Sequence, residues 1–149
     1  MADIVRPEVR SRMMSAIRGK NTSPEMLIRR LLHREGFRYR LHIRSLPGKP
    51  DLVFSALRAV IFVHGCYWHG HDCPAFKLPQ TNRVFWRAKL MGNRRRDQQA
   101  IKSLSSQGWR VLVVWECATR GLSEIESRKL LRRISAWLKS GDGFLEIRS

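Results

Sequence analysis

The chain of 149 residues carries 29 lysines and arginines against 12 aspartates and glutamates, a formal net charge of +17 at pH 7. Its length suits one domain, 1–149, and hydrophobic residues at 43% supply a core that disordered chains lack. The cationic excess favours a polyanionic partner. Nucleic acid is the first expectation, with an anionic membrane surface or a ribosome as the alternatives.

The sequence also argues against export and membrane insertion. The longest apolar runs, 59–63 and 111–115, are far shorter than the ~20 residues that span a bilayer. The first residues contain no apolar stretch followed by a cleavage site. Three cysteines cannot all pair within one chain, so a disulfide framework is not expected. We therefore expect a cytoplasmic protein whose cysteines have another use.

Two helices are predicted at the start of the chain. The first opens at Pro7 and closes at Gly19, and Met14 lies away from its apolar stripe, where it could contact a partner. The second begins at 22–25 and ends before Gly36. Its start has two interpretations: Ser23 as the cap with Pro24 at the first helical position, or residues 22 and 25 as a capping box.

Three strands are predicted next. Residues 37–41 alternate apolar and basic side chains, as an edge strand does. The runs 51–54 and 59–63 are close enough to form a hairpin, and the second is apolar on both faces, which predicts a central strand.

The second half predicts helix, strand, helix. A basic helical region runs from about 82 to 106 with Gly92 as its expected break, 110–115 is a buried strand, and the last helix opens on a capping box at 123–126. The order α, α, β, β, β, α, β, α predicts an α/β domain whose mixed central sheet is flanked by helices on both sides.

A cluster of metal-binding residue types lies between His64 and Cys73, which hold three of the five histidines and two of the three cysteines. Zinc takes thiolate and imidazole ligands in a tetrahedron, and a closed set of four is structural. The chain offers such a set: Cys66, His71, Cys73 and Cys117. The alternative is ordinary buried thiols with surface histidines.

The remaining cluster histidines, His64 and His69, are suited to proton transfer near neutral pH. Asp51 opens the first strand of the hairpin, so it should lie beside the end of the second, at 63–64. A carboxylate there is a good Mg²⁺ ligand. Glu25 is either a second site carboxylate or only a capping residue. Together these residues suggest metal-assisted hydrolysis of a phosphodiester.

The basic helical region predicts a phosphate-binding surface. From 77 to 97 there are seven basic residues and one acid. A solvated helix face is the usual interpretation of a charge run, but a face kept for solubility would mix both signs.

Three segments, 50–51, 60–73 and 113–117, resemble those of the very short patch repair (Vsr) endonucleases, which are DNA mismatch endonucleases on the restriction-endonuclease-like fold. The match extends from the first helix through Cys117. The resemblance implies a strand-specific nick on the 5′ side of the thymine in a T:G mismatch, which arises when 5-methylcytosine deaminates. Its implied partner is double-stranded DNA, with mismatch-repair proteins as further partners, and a monomer is expected.

The resemblance also implies roles for individual residues. Asp51 and the main-chain carbonyl of Val63 would hold Mg²⁺, and His69 would be the general base, supported by His64 and Glu25. The structural zinc set matches the four ligands named above. Five residues would contact the DNA. Tyr67 and Trp68 would form an aromatic wedge, Met14 of the helix in 1–20 would intercalate, and Lys89 and Asn93 would make contacts from the basic helix.

The sequence departs from common nuclease patterns in two places. The central strand reads Ile61-Phe62-Val63-His64, without the acid and lysine usual in restriction-type nucleases, so chemistry rests on Asp51 and histidine. Tyr67 stands where the family often has phenylalanine, and its hydroxyl must stay solvated or find a partner. The competing hypotheses are a zinc-stapled DNA-binding module without catalysis and a nuclease whose His/Cys loop holds the catalytic metal.

Overall fold

The computed structural model describes residues 21–73, 78 and 80–149. The first predicted helix and Met14 lie outside these residues. The elements, in chain order, are helix α1 (Ser23–Arg34), strands β1 (Arg40–Leu41), β2 (Leu52–Phe54) and β3 (Ala59–His64), helix α2 (Arg83–Ser106), strand β4 (Arg110–Trp115), helix α3 (Glu124–Ser140) and strand β5 (Phe144–Ile147).

The five strands form one mixed sheet in the order β1-β2-β3-β4-β5. β1, β2 and β3 are antiparallel neighbours, whereas β3–β4 and β4–β5 are parallel. The predicted hairpin and the central position of its second strand are confirmed. The predicted edge strand is shorter than expected, because only two of its residues pair with β2. β5 was not predicted.

Helices cover both faces of the sheet, as predicted. On one face, α1 contributes Ile28 and Leu32, and α3 contributes Ile134 and Leu138, to a core shared with the sheet. On the other face, Leu104 of α2 belongs to a second core built on β3 and β4. The architecture is therefore a mixed α/β domain whose parallel strands are buried from both sides.

The helix ends follow local chemistry. Thr22 caps α1, because its hydroxyl accepts a hydrogen bond from the N–H of Glu25 at 3.4 Å, so the cap is residue 22 and not Ser23. The predicted capping box is only half formed, because the Glu25 carboxylate accepts from the N–H of Asn21 instead of that of Thr22. Ser123 and Glu126 form the predicted capping box of α3. The predicted break at Gly92 is wrong: α2 runs through it for 24 residues. One glycine costs about 1 kcal/mol relative to alanine, which a long packed helix can absorb.

Among the described helices, none has both the length and the apolar character that crossing a membrane demands.

Candidate active site

A cleft of about 1130 Å³ opens where β3 ends. Its lining residues come from α1, from the start of β2, from the loop after β3 and from α2; they include Glu25, Asp51, His64, His69 and Asp97. The topology accounts for this gathering. In the antiparallel β2–β3 pair the first residues of β2 lie beside the last residues of β3, and α2 packs across that end.

Asp51 lies against the backbone of β3. Its Oδ2 accepts a hydrogen bond from the N–H of Val63 at 2.7 Å, and its own N–H donates to the carbonyl of Ile61 at 3.1 Å. Burial raises the pKa of Asp51 to about 7, against the hydrogen bond from Val63, and the negative charge of Glu25 raises it further. A carboxylate whose charge is costly to bury is a site where a bound cation is favourable.

Glu25 is almost completely buried, at 1% exposure. Its Oε1 accepts a hydrogen bond from the N–H of Asn21 at 3.3 Å, as a helix-start acid does. Its Oε2 lies 2.8 Å from Nε2 of His42 and 3.3 Å from Nη1 of Arg29. One oxygen of Glu25 therefore serves the helix start, and the other lies against His42 and Arg29.

His64 and His69 stack face to face, with ring centroids 3.8 Å apart and planes within 6° of parallel. His64 is buried, and burial lowers its pKa well below the usual value, with the charges of His69 and His71 acting in the same direction. The His64 ring is therefore neutral at physiological pH.

Asp97 of α2 holds the outer histidine of that stack. Its Oδ2 lies 2.5 Å from Nδ1 of His69. With Nδ1–H donating to the carboxylate, the Nε2 lone pair of His69 is left free to accept a proton. The sequence interpretation missed Asp97. The available signal was its being the single acid in the basic run 77–97.

The four predicted zinc ligands converge beside this cleft. The ligand atoms of Cys66, His71, Cys73 and Cys117 all lie within 4.8 Å of one another. Cys117 Sγ is 3.6 Å from His71 Nδ1. Zn–S bonds of ~2.3 Å and Zn–N bonds of ~2.0–2.1 Å at a tetrahedral angle place sulfur and nitrogen about 3.6 Å apart, so the spacing fits zinc.

The surroundings of this cluster also suit a metal. Burial raises the pKa of Cys66 to about 12, so ionising this thiol requires a cation. None of the three cysteines is in a disulfide. The His71 ring stacks on Trp115 at 3.9 Å. Its Nε2 is buried with no hydrogen-bond partner among the described residues, and Asp72 Oδ1 is 3.8 Å away, where metal-binding histidines commonly have a carboxylate.

Strand register explains why ligands distant in sequence meet. β3 and β4 are parallel and end together, with His64 paired to Trp115. Cys66 and Cys117 each follow two residues later. The sheet therefore delivers both thiols to the same place, and the loop 64–73 returns to supply the other two ligands.

The predicted aromatic wedge lies on the same loop. Tyr67 and Trp68 pack edge to face at 5.0 Å, and both contact Trp86 of α2. Trp68 is buried, whereas Tyr67 is partly exposed. The predicted DNA contact Asn93 donates from Nδ2 to the main-chain carbonyl of Trp68 at 2.8 Å, so in this structure its amide holds the loop.

Lys89, the other predicted contact on α2, is half-buried on the turn before Asn93. The same helix carries exposed arginines, among them Arg87, Arg94, Arg95 and Arg96, and Arg96 lines the cleft. This surface is suited to phosphate groups.

Comparisons with known proteins agree with the geometry. A family model described as DNA mismatch endonuclease Vsr matches residues 2–75. The type II nicking enzyme V.XorIIP of Xanthomonas oryzae pv. oryzae is 48% identical over 128 residues, which cover 86% of this chain and 94% of the relative. DNA mismatch endonuclease Vsr of Escherichia coli (strain K12) is 43% identical over 143 residues, covering 96% and 91%. The type II nicking enzyme V.NmeAIP of Neisseria meningitidis is 40% identical over 136 residues, covering 90% and 97%.

A cleft that combines a partly buried aspartate with a carboxylate-bound histidine, beside a cationic helix, is typical of a nuclease, and the names of these relatives agree with that class. The protein is an endonuclease rather than a binding module without catalysis. More narrowly, the chain belongs to the Vsr family of DNA mismatch endonucleases.

Proposed function

We propose that the protein is a Mg²⁺-dependent endonuclease that nicks double-stranded DNA on the 5′ side of the thymine in a T:G mismatch left by deamination of 5-methylcytosine. One observation carries this proposal: Asp51 and the His69–Asp97 pair line a single cleft beside the loop that bears Tyr67 and Trp68. Family membership supports the mismatch as substrate, and the mixed sheet with flanking helices is compatible with a restriction-endonuclease-like fold.

Asp51 and the carbonyl of Val63 would hold the Mg²⁺. The fit rests on the partly buried Asp51 carboxylate, because a cation offsets the cost of burying its charge, a cost that raises its pKa to about 7. When bound, Mg²⁺ polarises the scissile phosphate and offsets the charge that develops there. The strand pairing favours the same place. The β2–β3 register, continued by two residues, sets Pro50 opposite Val63, and proline has no N–H to donate to the Val63 carbonyl.

His69 accepts the proton of the attacking water at Nε2. Asp97 supports this step, because a carboxylate at Nδ1 fixes the tautomer and stabilises the imidazolium that forms. His64, buried and neutral, supports the His69 ring by stacking without adding a positive charge beside it. Glu25 completes the site from α1.

The zinc set would have a structural role. With Cys66, His71, Cys73 and Cys117 as ligands, no coordination position remains for water or substrate. Zinc would thus brace the loop that carries the general base and the aromatic wedge.

Recognition is assigned to the wedge and to α2. Tyr67, with Trp68 behind it, would enter the base stack at the mismatch, together with Met14 of the predicted N-terminal helix. Mispaired bases reduce the cost of unstacking there. Lys89 and Asn93 contact the flanking bases, and the α2 arginines bind phosphates. The protein acts as a monomer at the bacterial nucleoid, with mismatch-repair proteins as downstream partners.

A panel of duplexes tests the proposal. One set carries T:G, another carries other mismatches or none, and each is incubated with Mg²⁺ and the wild-type, Asp51→Ala or Asp142→Ala protein. Asp142 is an exposed aspartate before β5, at the opposite end of the sheet, and serves as the matched control. Nicking of T:G alone, lost only in Asp51→Ala while DNA binding persists, supports the assignment. Equal nicking of all duplexes refutes the mismatch specificity, and active Asp51→Ala removes Asp51 from the mechanism.

A further inference from the structure

A third histidine of the site region, His42, lies near the Asp51 carboxylate. A ring nitrogen of His42, a carboxylate oxygen of Glu25 and one of Asp51 lie within 4.8 Å of one another. Nε2 of His42 is 2.8 Å from Oε2 of Glu25. These residues come from three places in the fold: α1, the turn after β1 and the residue before β2. Neither the family resemblance nor the spacing of motifs pointed to His42.

The backbone fixes His42 in this position. Its N–H donates to the carbonyl of Asp51 at 3.2 Å, which extends the β1–β2 pairing by one step. Its φ is 50°, in the left-handed region that residues other than glycine seldom adopt. The His42 side chain is only 14% exposed. The fold therefore holds the imidazole beside the two carboxylates in an uncommon backbone conformation.

We propose that His42 supplies an imidazole nitrogen to the divalent cation held by Asp51, with Glu25 as a third ligand, so that this site favours Mn²⁺ and related transition-metal ions over Mg²⁺. The inference rests on the proposed function in placing a cation at Asp51. Mg²⁺ takes oxygen ligands almost exclusively, whereas imidazole is a ligand of first-row transition metals.

The distances suit this ligand set. Bonds of about 2.1 Å in an octahedral ion place neighbouring ligand atoms about 3.0 Å apart and opposite ones about 4.2 Å apart. The His42–Glu25 separation corresponds to a neighbouring pair. Two ligand atoms at the 4.8 Å limit would have to approach by only about half an ångström to reach the spacing of opposite ligands. Arg29 at 3.3 Å from Glu25 offsets part of the negative charge but leaves Asp51 unpaired with any cation among the described residues.

The cleft contains a second group of possible metal ligands, and a test must distinguish an ion bound there from one bound at Asp51. His64, His69 and Asp97 also place ligand atoms within 4.8 Å of one another. A histidine signal from a bound ion is therefore assigned only by substituting both His42 and His69.

Pulsed electron paramagnetic resonance of Mn²⁺ supplies a direct readout. The zinc-loaded protein, without DNA, receives less than one equivalent of Mn²⁺, and coupling to an imidazole nitrogen is recorded. The wild-type, His69→Gln and His33→Gln proteins should show the coupling, and His42→Gln should lose it. His33 is an exposed histidine of α1 and is the matched control. Coupling that survives in His42→Gln, or disappears in His69→Gln, overturns the proposal.

Affinities give a second, quantitative arm. In His42→Gln we expect Mn²⁺ binding to weaken about tenfold or more, as losses at metal sites commonly do, and Mg²⁺ binding to change by less than about threefold. Equal weakening for both ions means that His42 only positions Glu25, which refutes the ligand assignment. If His42→Gln folds poorly, His42→Asn replaces it, because asparagine tolerates left-handed backbone and also lacks the imidazole.

Binding in the absence of DNA separates this inference from the proposed function. Imidazole coupling in a protein that nicks no duplex supports the His42 site and refutes the function. Mg²⁺-dependent nicking at T:G without the imidazole coupling supports the proposed function and refutes the His42 site.

Discussion

Replacing Asp51 with asparagine should abolish nicking and, in the absence of Mg²⁺, make the folded protein more stable at alkaline pH. Asparagine keeps an oxygen that can accept the Val63 hydrogen bond but has no charge to bury. In the wild type, burial raises the pKa of Asp51 from 3.8 to about 7, so the folded state binds more protons than the unfolded state between those values. Wild-type stability is thus lost as pH rises through about 7.

The magnitude follows from the shift. Roughly three pKa units at 1.36 kcal/mol each set an upper limit of about 4 kcal/mol on the cost of ionising Asp51 in the folded protein. Contact with the solvent of the cleft reduces this, and we take about 2 kcal/mol. For a chain of this size, 1 kcal/mol moves the Tm by about 2–4 °C. Asp51→Asn should therefore raise the Tm by about 4–8 °C at pH 8 and by almost nothing at pH 4.

Thermal unfolding across pH 4–8, in zinc-replete buffer without Mg²⁺ or chelator, measures the difference. Asp142→Asn, at an exposed aspartate, is the control and should stay within about 2 °C of wild type at each pH. A gain that is the same at pH 4 and pH 8 would show that packing, not charge burial, stabilises the variant. No gain at pH 8 would refute the idea that the cleft holds Asp51 at a cost. Added Mg²⁺ should raise the Tm of the wild type and of Asp142→Asn, but not that of Asp51→Asn.

Three further outcomes are expected. Asp97→Asn should lower the nicking rate about 10²–10⁴-fold with little change in DNA affinity. An amide that donates to Nδ1 of His69 places the ring proton on Nε2, so that Nε2 can no longer accept one. An unchanged single-turnover rate would contradict this role of Asp97. Cys117→Ser should reduce zinc content, measured by atomic absorption, to below about half an equivalent and lower the Tm, and full zinc retention would exclude the site. Affinity for a matched duplex should fall about 10³–10⁵-fold between 50 and 200 mM salt if six to ten phosphates are contacted, and a flat response would refute the phosphate surface.

Features that depend on residues close in the chain were predictable from sequence. The Ser123–Glu126 capping box, the hairpin of β2 and β3 and the short-range convergence of Cys66, His71 and Cys73 all arise from spacing alone. Predicting Cys117 as the fourth ligand took a further inference, because it follows a different strand. The parallel register of β3 and β4 explains why it lies near the other three.

Features that depend on long-range packing were not predictable. β5 has only four residues, of which one is buried, so neither length nor alternation marks it. Asp97 becomes a partner of His69 only because α2 crosses the end of β3 as one continuous helix. The expected break at Gly92 would have placed Asp97 elsewhere. His42 reaches Glu25 through a left-handed turn that its sequence neighbours do not encode.

The loop 64–73 connects the proposed zinc set to the proposed general base. His69 lies between Cys66 and His71, and its N–H donates to the carbonyl of Gly65 at 3.2 Å, while that of His71 donates to Cys66 at 2.9 Å. Gly70 completes the turn at φ 59°, where an added Cβ would lie 3.0 Å from the Arg94 side chain. The position of His69, the proposed general base, is therefore fixed from both sides by proposed zinc ligands and from α2 by Asp97. In the proposed function, the cationic excess of +17 binds the DNA, and the few acidic and thiol groups would hold the ions and orient His69.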